Sequence, residues 1–422
     1  MSISERIEQP VNTVFRRLEI KRRQTADGLF EPNWLNITSY VKDWGGLDRS
    51  IDDVRLNKFR NSGFSVRVRN DSGAFNLESN INSLWNGYLT RQLTLVRVQA
   101  GYYDTSGAEL PTDSTLGIFL MDQEMPTDSD SNEVSMNCSS LQSVFDNVRA
   151  TEIGGLTTAT LTSGDVIARI RDHTDGAGLF VFRQFITSTA WTIQTGTTNY
   201  YNLTSTSLDG LSTWELMVKL AEAEAFALMI KMDGGIEFRD RSARTTTSAF
   251  SFYGQGFPRP NVIKISNFRE AVDKYYTYFR FKWSELDTTT SYVSAGTVTA
   301  VSPTNIAWRS GSRSLEFDNE FVMTSTAAQT IVNNVFSQLG SVGVEAVLTT
   351  KFIPQLELLD PVDLSFHSYD LGNKTLWDVA IWDTDNWSAE GENFDFDSLG
   401  LKIISVRHDL ANFKSEFSVR RT

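Results

Sequence analysis

The chain has 422 residues, of which 40% are hydrophobic and 22% are charged, and its formal net charge is −13. This composition is ordinary for folded protein, and the length predicts two to four domains rather than one core. Proteins that bind nucleic acid normally present a cationic surface to the phosphates, so 52 acidic against 39 basic side chains argue against sequence-specific nucleic-acid binding. One cysteine and three histidines exclude an intrachain disulfide and leave few ligands for a zinc site.

The amino-terminal segment lacks the apolar stretch of a secretory signal. Nor does any apolar run approach the roughly 20 residues that a transmembrane helix needs. We therefore predict no membrane span and folding in a cytoplasm. Residues 1–12 precede the first strand pattern and are predicted to form an arm.

Residues 13–150 alternate between apolar and polar side chains and contain short turns, a pattern typical of half-buried antiparallel strands. The run 64–69 alternates in this way and ends in residues 70–73, Asn-Asp-Ser-Gly, which suit a tight turn. Cys138 also alternates with polar neighbours, which favours a small buried residue over a nucleophile. We predict a first β-barrel or β-sandwich domain over this range.

A basic group stands at the start of this first domain. It either contacts an acidic neighbouring subunit or gives an exposed strand its alternating charge, and the second interpretation is the default. Its members are Arg16, Arg17, Lys21, Arg22 and Arg23.

Residues 151–255 are predicted to form an α+β domain. A short helix is expected after Ser163, and Ser212 and Glu215 have the spacing of a capping box that begins a longer helix. Residues 229–238 then predict a strand, a tight turn and a second strand, which together make a hairpin.

Residues 256–422 are predicted to form a second β-barrel or β-sandwich domain, after a boundary rich in glycine and proline. The domain includes a helix over 327–339, capped by Thr324 or Ser325 and stopped by Gly340. An acidic, tryptophan-rich loop is predicted over 377–397. The whole chain is thus expected to be a β-rich, multi-domain α+β protein.

Residues 34–41, followed by 64–75, resemble the amino-terminal part of bacteriophage tail-tip and baseplate hub proteins, where a similar segment precedes a strand ending in an N-x-x-G-x-F turn. Residues 211–241 resemble the helix and hairpin of the second domain of that family. Residues 358–366 resemble its turn before a late strand. Each motif is short, and their occurrence in the same order carries the resemblance.

The resemblance implies two tail-tube-like β domains with an α+β domain between or beside them. It also implies a homotrimer that forms a hub ring in the virion tail, without enzymatic activity or cofactor. Such a ring would continue the tail tube and support the DNA channel during ejection. Its partners would be a distal tail or tail tube protein above and tip, fibre or spike proteins below. An acidic lumen would repel DNA, and the net charge of −13 permits this. The nearest alternative is the distal tail protein, a hexameric ring.

The acidic loop suggests alternatives from other classes. Asp383, Asp385, Glu390 and Glu392 offer calcium ligands, although their spacing does not match an EF-hand. A carbohydrate- or receptor-binding module, or a glycosidase carboxylate pair, would use the flanking tryptophans to stack on sugars; these are Trp377, Trp382 and Trp387. An exposed acidic loop anchored by tryptophans is the favoured interpretation.

The remaining residues give no pattern that is typical of a catalytic or nucleotide-binding site. His173 lies beside Asp172 and Asp175 and could form a dyad, although a solvated helix end is favoured. The sequence contains no G-x-S-x-G and no GxxxxGK[ST] motif. We therefore assign no catalytic, cofactor-binding or metal-binding residue. The aromatic strand 275–283 and the tryptophans near 382 are predicted to anchor subunit interfaces.

Overall fold

The computed structural model describes most of residues 13–421. The gaps fall at 52–58, 62, 77–79, 89–93, 111–113, 123–126, 129–131, 158–160, 197–202, 204, 241–247, 255–256, 258–259, 271–275, 277, 287–291, 302–313, 320, 323–324, 340–342 and 368–394. The predicted arm and nearly all of the predicted acidic loop therefore lie outside the described residues, as do Thr324 and Gly340.

Strands dominate the described residues. In the first third of the chain they are β1 (Val14–Lys21), β2 (Leu35–Asn36), β3 (Val41–Trp44), β4 (Gly46–Ile51), β5 (Phe59–Asn61), β6 (Phe64–Arg69), β7 (Leu95–Tyr103), β8 (Glu109–Leu110), β9 (Thr115–Met121), β10 (Thr127–Asp128) and β11 (Glu133–Ser140). The later strands are β12 (Trp191–Ile193), β13 (Phe226–Ile230), β14 (Ile236–Asp240), β15 (Phe250–Tyr253), β16 (Val262–Glu270), β17 (Tyr278–Leu286), β18 (Tyr292–Val301), β19 (Ser314–Asp318), β20 (Val344–Lys351), β21 (Pro361–His367), β22 (Asp395–Asp409) and β23 (Lys414–Arg420). The helices are α1 (Gln142–Asp146), α2 (Ser163–Arg171), α3 (Ser205–Leu208), α4 (Thr213–Glu224) and α5 (Ser325–Leu339).

The first large sheet has the strand order β2-β1-β7-β9-β11-β6-β3, with β8 added to β7 and β10 to β11. Its alternating strands bury one face, as the pattern of β6 illustrates: Phe64, Val66 and Val68 are buried while the residues between them are exposed. The second large sheet has the order β15-β21-β22-β23-β20-β16. The expected β-rich α+β class is confirmed.

Two smaller sheets complete the architecture. One places β14 between β12 and β13, and the other places β17 between β18 and β19. Among the described residues, both large sheets are open paths of strands, so neither forms the closed barrel that was one of the two predicted forms. The division of the chain near 150 and 255 stays a prediction.

One hairpin leaves the first sheet to join the second. Strands β4 and β5 lie between β3 and β6 in sequence, yet β4 pairs with the carboxyl half of β22, from Ser405 to Asp409. This exchange brings a segment from the start of the chain into the core at its end. The sequence pattern did not indicate it, because strand periodicity identifies a strand but not its partner.

The capping box predicted at the start of the longer helix is confirmed. The Ser212 hydroxyl accepts the Glu215 N–H at 3.1 Å, and the Glu215 carboxylate accepts the Ser212 N–H at 2.8 Å, so both halves of the capping box form. A second capping box, which was not predicted, begins α2 with Thr162 and Asp165.

Two aromatic residues of β17 are not available for the subunit interface that was predicted for 275–283. Phe279 and Phe281 are fully buried and pack inside the chain, with Phe279 5.5 Å from Phe336 of α5 and Phe281 5.0 Å from Phe317 of β19. These two side chains lie on one face of the strand, so their apolar area is used in the core, and the role of the other aromatic residues stays a prediction.

Candidate functional site

A buried arginine, Arg49 of β4, joins three distant parts of the chain. Arg49 is 3% exposed, and its guanidinium forms an ion pair with Glu357 at 2.6 Å. It also donates to the carbonyl of Ile230, at the end of β13. Arg49 lies between the resemblance segments 34–41 and 64–75, Ile230 lies within 211–241, and Glu357 immediately precedes 358–366; we call this contact the Arg49 junction.

Glu357 connects the junction to the β13–β14 hairpin. One of its carboxylate oxygens accepts the N–H of Met232 at 2.8 Å, and the other accepts the N–H of Leu358 at 3.1 Å. The turn is closed by Asp360, whose carboxylate accepts the Glu357 N–H at 2.7 Å. Burial removes water from charged groups, and these hydrogen bonds take its place around the Glu357 carboxylate. The buried ion pair is therefore stable.

His408 of β22 extends the junction on its other side. Its side chain is 2% exposed, and Nδ1 lies 2.9 Å from the Ser415 hydroxyl. Burial, followed by the positive charge of Arg49, lowers the pKa of His408 from 6.5 to about 3. The imidazole is therefore neutral at physiological pH, and its ring packs edge-on to Phe352 at 5.4 Å.

Two further contacts join the first sheet to the second. The hydroxyl of Tyr102 on β7 donates to the carbonyl of Phe352 at 2.6 Å in a buried setting. Arg16 of β1 donates to the carbonyl of Leu410 at 2.7 Å, and its guanidinium lies over Trp44 and Phe413 at 5.1 and 5.2 Å. The large sheets are thus tied by polar contacts as well as by apolar packing.

The turn that ends β6 shows what the residues of the N-x-x-G-x-F pattern do in the structure. The Asn70 side chain accepts the N–H of Phe75 at 2.8 Å, and Gly73 adopts a left-handed conformation with φ of 69°. Phe75 is then directed into the core, 5.3 Å from Tyr40 and 5.8 Å from Trp85. The first and most specific resemblance motif is therefore a folding element.

The basic group at the start of the chain does not lie on an exposed strand, which was the default expectation. Strand β1 pairs with both β7 and β2, and most of its cations have partners within the chain. Arg17 pairs with Glu109, and Arg22 pairs with Glu31 at 3.0 Å while its guanidinium lies 3.8 Å over Tyr88. Arg23 differs from these arginines, because it donates to the neutral side chain of Gln184.

The other predicted candidates fall in separate places. Asp172 pairs with Arg171 at 2.6 Å and with Arg183 at 3.5 Å, and the His173 ring lies 6.3 Å from that of Phe182. Cys138 is buried, and burial raises the pKa of its thiol strongly, in agreement with a core residue. The candidate ligands Asp383, Asp385, Glu390 and Glu392, with Trp377, Trp382 and Trp387, lie outside the described residues.

Two kinds of feature are absent from the described part of the chain. No three His, Cys, Asp or Glu side chains there are grouped as metal ligands would be. No helix among the same residues is long and apolar enough to cross a membrane.

Sequence reasoning missed Arg49, Glu357 and His408, although β4 carried a signal. Its alternation places Arg49 in phase with the buried Leu47 and Ile51, so a charged residue occupies an apolar face. Such a residue needs a buried partner.

No protein-family model matches the chain, and no curated protein matches it in sequence. Several solved structures, however, have a similar fold. A tail protein from Neisseria meningitidis MC58 aligns over 96% of both chains with a TM-score of 0.54 and 9% identity. The 43 kDa tail protein of prophage MuSo2 from Shewanella oneidensis aligns over 96% of this chain and 98% of its own, with a TM-score of 0.51 and 13% identity.

A third similar structure is the prophage tail protein gp18 from Listeria monocytogenes EGD-e, with a TM-score of 0.50, 11% identity, and coverage of 96% of this chain and 94% of that one. The chain has the fold of these phage tail proteins. The β-rich tail-protein fold that the resemblance implied is therefore confirmed over 96% of the chain, while the predicted division into domains stays a prediction.

Proposed function

We propose that the chain is a structural component of a bacteriophage tail that forms the hub ring at the tail tip or baseplate. The observation that supports this most is the end-to-end alignment, 96% of the chain, with tail proteins of similar length. The alignment covers nearly the whole of both chains, so the shared fold accounts for nearly all of the given sequence.

The internal construction suits a ring subunit. Polar contacts tie the two large sheets and the β13–β14 hairpin together at the Arg49 junction. A subunit held together in this way transmits a fixed geometry to its neighbours, as closure of a symmetric ring requires. The net charge of −13 would also keep DNA phosphates from adhering to a channel wall.

In this proposal the chain acts as a homotrimer in the virion, after assembly in the host cytoplasm. Its neighbours would be the distal tail or tail tube protein above and tip, fibre or spike proteins below. It performs no catalysis in this role. The distal tail protein, a hexameric ring, is the second candidate, because similarity to tail proteins in general supports it as well.

Antibody labelling of tails by electron microscopy tests the proposal. We expect label at one end of the tail only, and we expect particles made without the chain to lack a tip and fail to eject DNA. Label along the whole tube, or normal tips on particles that lack the chain, would contradict it.

A further inference from the structure

Two loops from distant parts of the sequence meet at a cavity on the surface. One connects β1 to β2, and the other follows α2. They enclose a cavity of about 770 Å³ whose lining includes Arg23, Leu29, Leu179, Phe180 and Arg183. We call these five residues the Arg23 surface.

The Arg23 surface concentrates exposed apolar area. Leu29 is 47% exposed, Leu179 is 52% exposed and Phe180 is 39% exposed. They are three of the five large hydrophobic residues that are exposed among the described residues. Since scattered single hydrophobic residues are ordinary but a cluster around a cavity is not, this surface indicates an interaction site.

Hydrogen bonds fix both loops in place. The Asp27 carboxylate accepts the N–H of Leu29 at 2.9 Å, and the Asp175 carboxylate accepts the N–H of Leu179 at 2.9 Å. The Arg183 guanidinium lies 3.9 Å over the ring of Phe180. Both acidic residues of the cavity are thus used to hold the loops, and the apolar side chains are presented in a defined arrangement.

No carboxylate of the described residues forms an ion pair with the Arg23 guanidinium. Its guanidinium lies over the rings of Phe30 and Phe185 at 5.5 and 5.9 Å and donates to the neutral side chain of Gln184. Its Nε is buried and has no hydrogen-bond partner among the described residues. Partial burial lowers the pKa of Arg23. Because a partly desolvated cation is stabilised by an anion, the surface fits a partner that supplies a carboxylate.

We propose that the Arg23 surface binds an acidic and apolar surface of a second copy of this chain, in a head-to-tail contact. A copy is a suitable partner because the chain has 13 more acidic than basic side chains. In a head-to-tail contact the Arg23 surface of one copy meets a different surface of the next copy. Contacts of this kind close rings. The inference rests on the proposed ring function and assigns one of its interfaces.

Sedimentation of purified chain over a range of concentrations tests the proposal. Arg23→Glu and Leu179→Asp should each raise the dissociation constant of self-association at least tenfold, as loss of an interface anchor does. Ile81→Asp is the matched control, since Ile81 is 82% exposed and is not part of the cavity lining. Each variant should keep the wild-type urea midpoint, which shows that folding is unchanged.

Mixing experiments test the head-to-tail geometry. A Leu179→Asp copy retains its acidic surface, so a minor amount of it should bind wild-type copies and stop rings from closing. If the variant is excluded from wild-type assemblies and leaves them intact, the contact is two-fold and the proposal is overturned. It is also overturned if both variants assemble like wild type, whether or not they lose another tail protein. In those cases the ring function stands, whereas wild-type chain that never assembles, alone or with tail tube protein, contradicts the ring function itself.

Discussion

Arg49 and Arg23 are the same residue type in opposite situations. Arg49 is 3% exposed and has a carboxylate at 2.6 Å, a backbone carbonyl and an aromatic ring around it. Arg23 lies against two aromatic rings beside exposed leucines, and among the described residues no carboxylate pairs with it. The first guanidinium has a carboxylate partner within the chain, while the second has none among the described residues.

The comparison separates residues that stabilise the subunit from residues that are available for assembly. Removing a buried charge leaves its partner uncompensated, so the cost falls on folding. Removing a charge from a surface with unused capacity has little effect on folding and acts on association. The same substitution at the two arginines should therefore affect different measurements.

The largest effect is expected at the junction. Arg49→Met should lower the free energy of unfolding by about 3–5 kcal/mol, because Glu357 is left as an unpaired buried charge. Arg23→Met should lower it by less than about 1 kcal/mol. Urea denaturation followed by circular dichroism gives both values. The double variant Arg49→Met with Glu357→Gln should recover a large part of the loss, and equal losses at Arg49 and Arg23 would refute the distinction between them.

Acid should weaken the junction through His408. The folded state keeps His408 neutral down to about pH 3, whereas in the unfolded chain its pKa is 6.5. Between these values only the unfolded state binds the proton, so stability falls as pH decreases, by about 1.4 kcal/mol per unit. By pH 5 the loss from this residue is about 2 kcal/mol.

Denaturation at pH 7, 6 and 5 measures this dependence on the wild type and on His408→Asn. The variant lacks the titrating group, so its stability should decline less steeply over the same interval. Identical slopes for the two proteins would show that His408 does not remain neutral in the fold.

A smaller effect is expected at the turn after β6. Asn70→Ala should cost about 1–2 kcal/mol of unfolding free energy, since the N–H of the buried Phe75 loses its acceptor. Asp71→Ala is the control in the same turn, because Asp71 is exposed, and it should change stability by less than about 0.5 kcal/mol. Equal effects at the two positions would mean that the Asn70 side chain does not hold the turn.

The periodicity of the sequence predicted local structure well where one face is buried. Strand β6 and helix α4 follow directly from alternation and from a capping box, both of which are encoded by neighbouring residues. The pairing of β4 with β22 did not follow, because it joins residues about 360 positions apart and no local pattern specifies it. The burial of the aromatic residues of β17 could not be predicted from the sequence, because an aromatic strand packs equally well against a helix or a partner subunit.

The candidate site was only partly predictable. The resemblance segments were identified from sequence, but Arg49 and Glu357 lie outside them, and their pairing depends on tertiary contacts. In the sequence, Arg23 belongs to a basic group, and other arginines of that group have partners within the chain. Only the folded structure shows that Arg23 lies beside exposed apolar side chains and donates to a neutral amide rather than to a carboxylate.

Native mass spectrometry of the purified chain, alone and with tail tube protein of the same phage, tests the central claim most directly. A closed ring of three copies is the result that the hub function predicts. A ring of six copies would favour the distal tail protein instead. A chain that stays monomeric under all conditions and does not associate with tail tube protein would contradict the structural role.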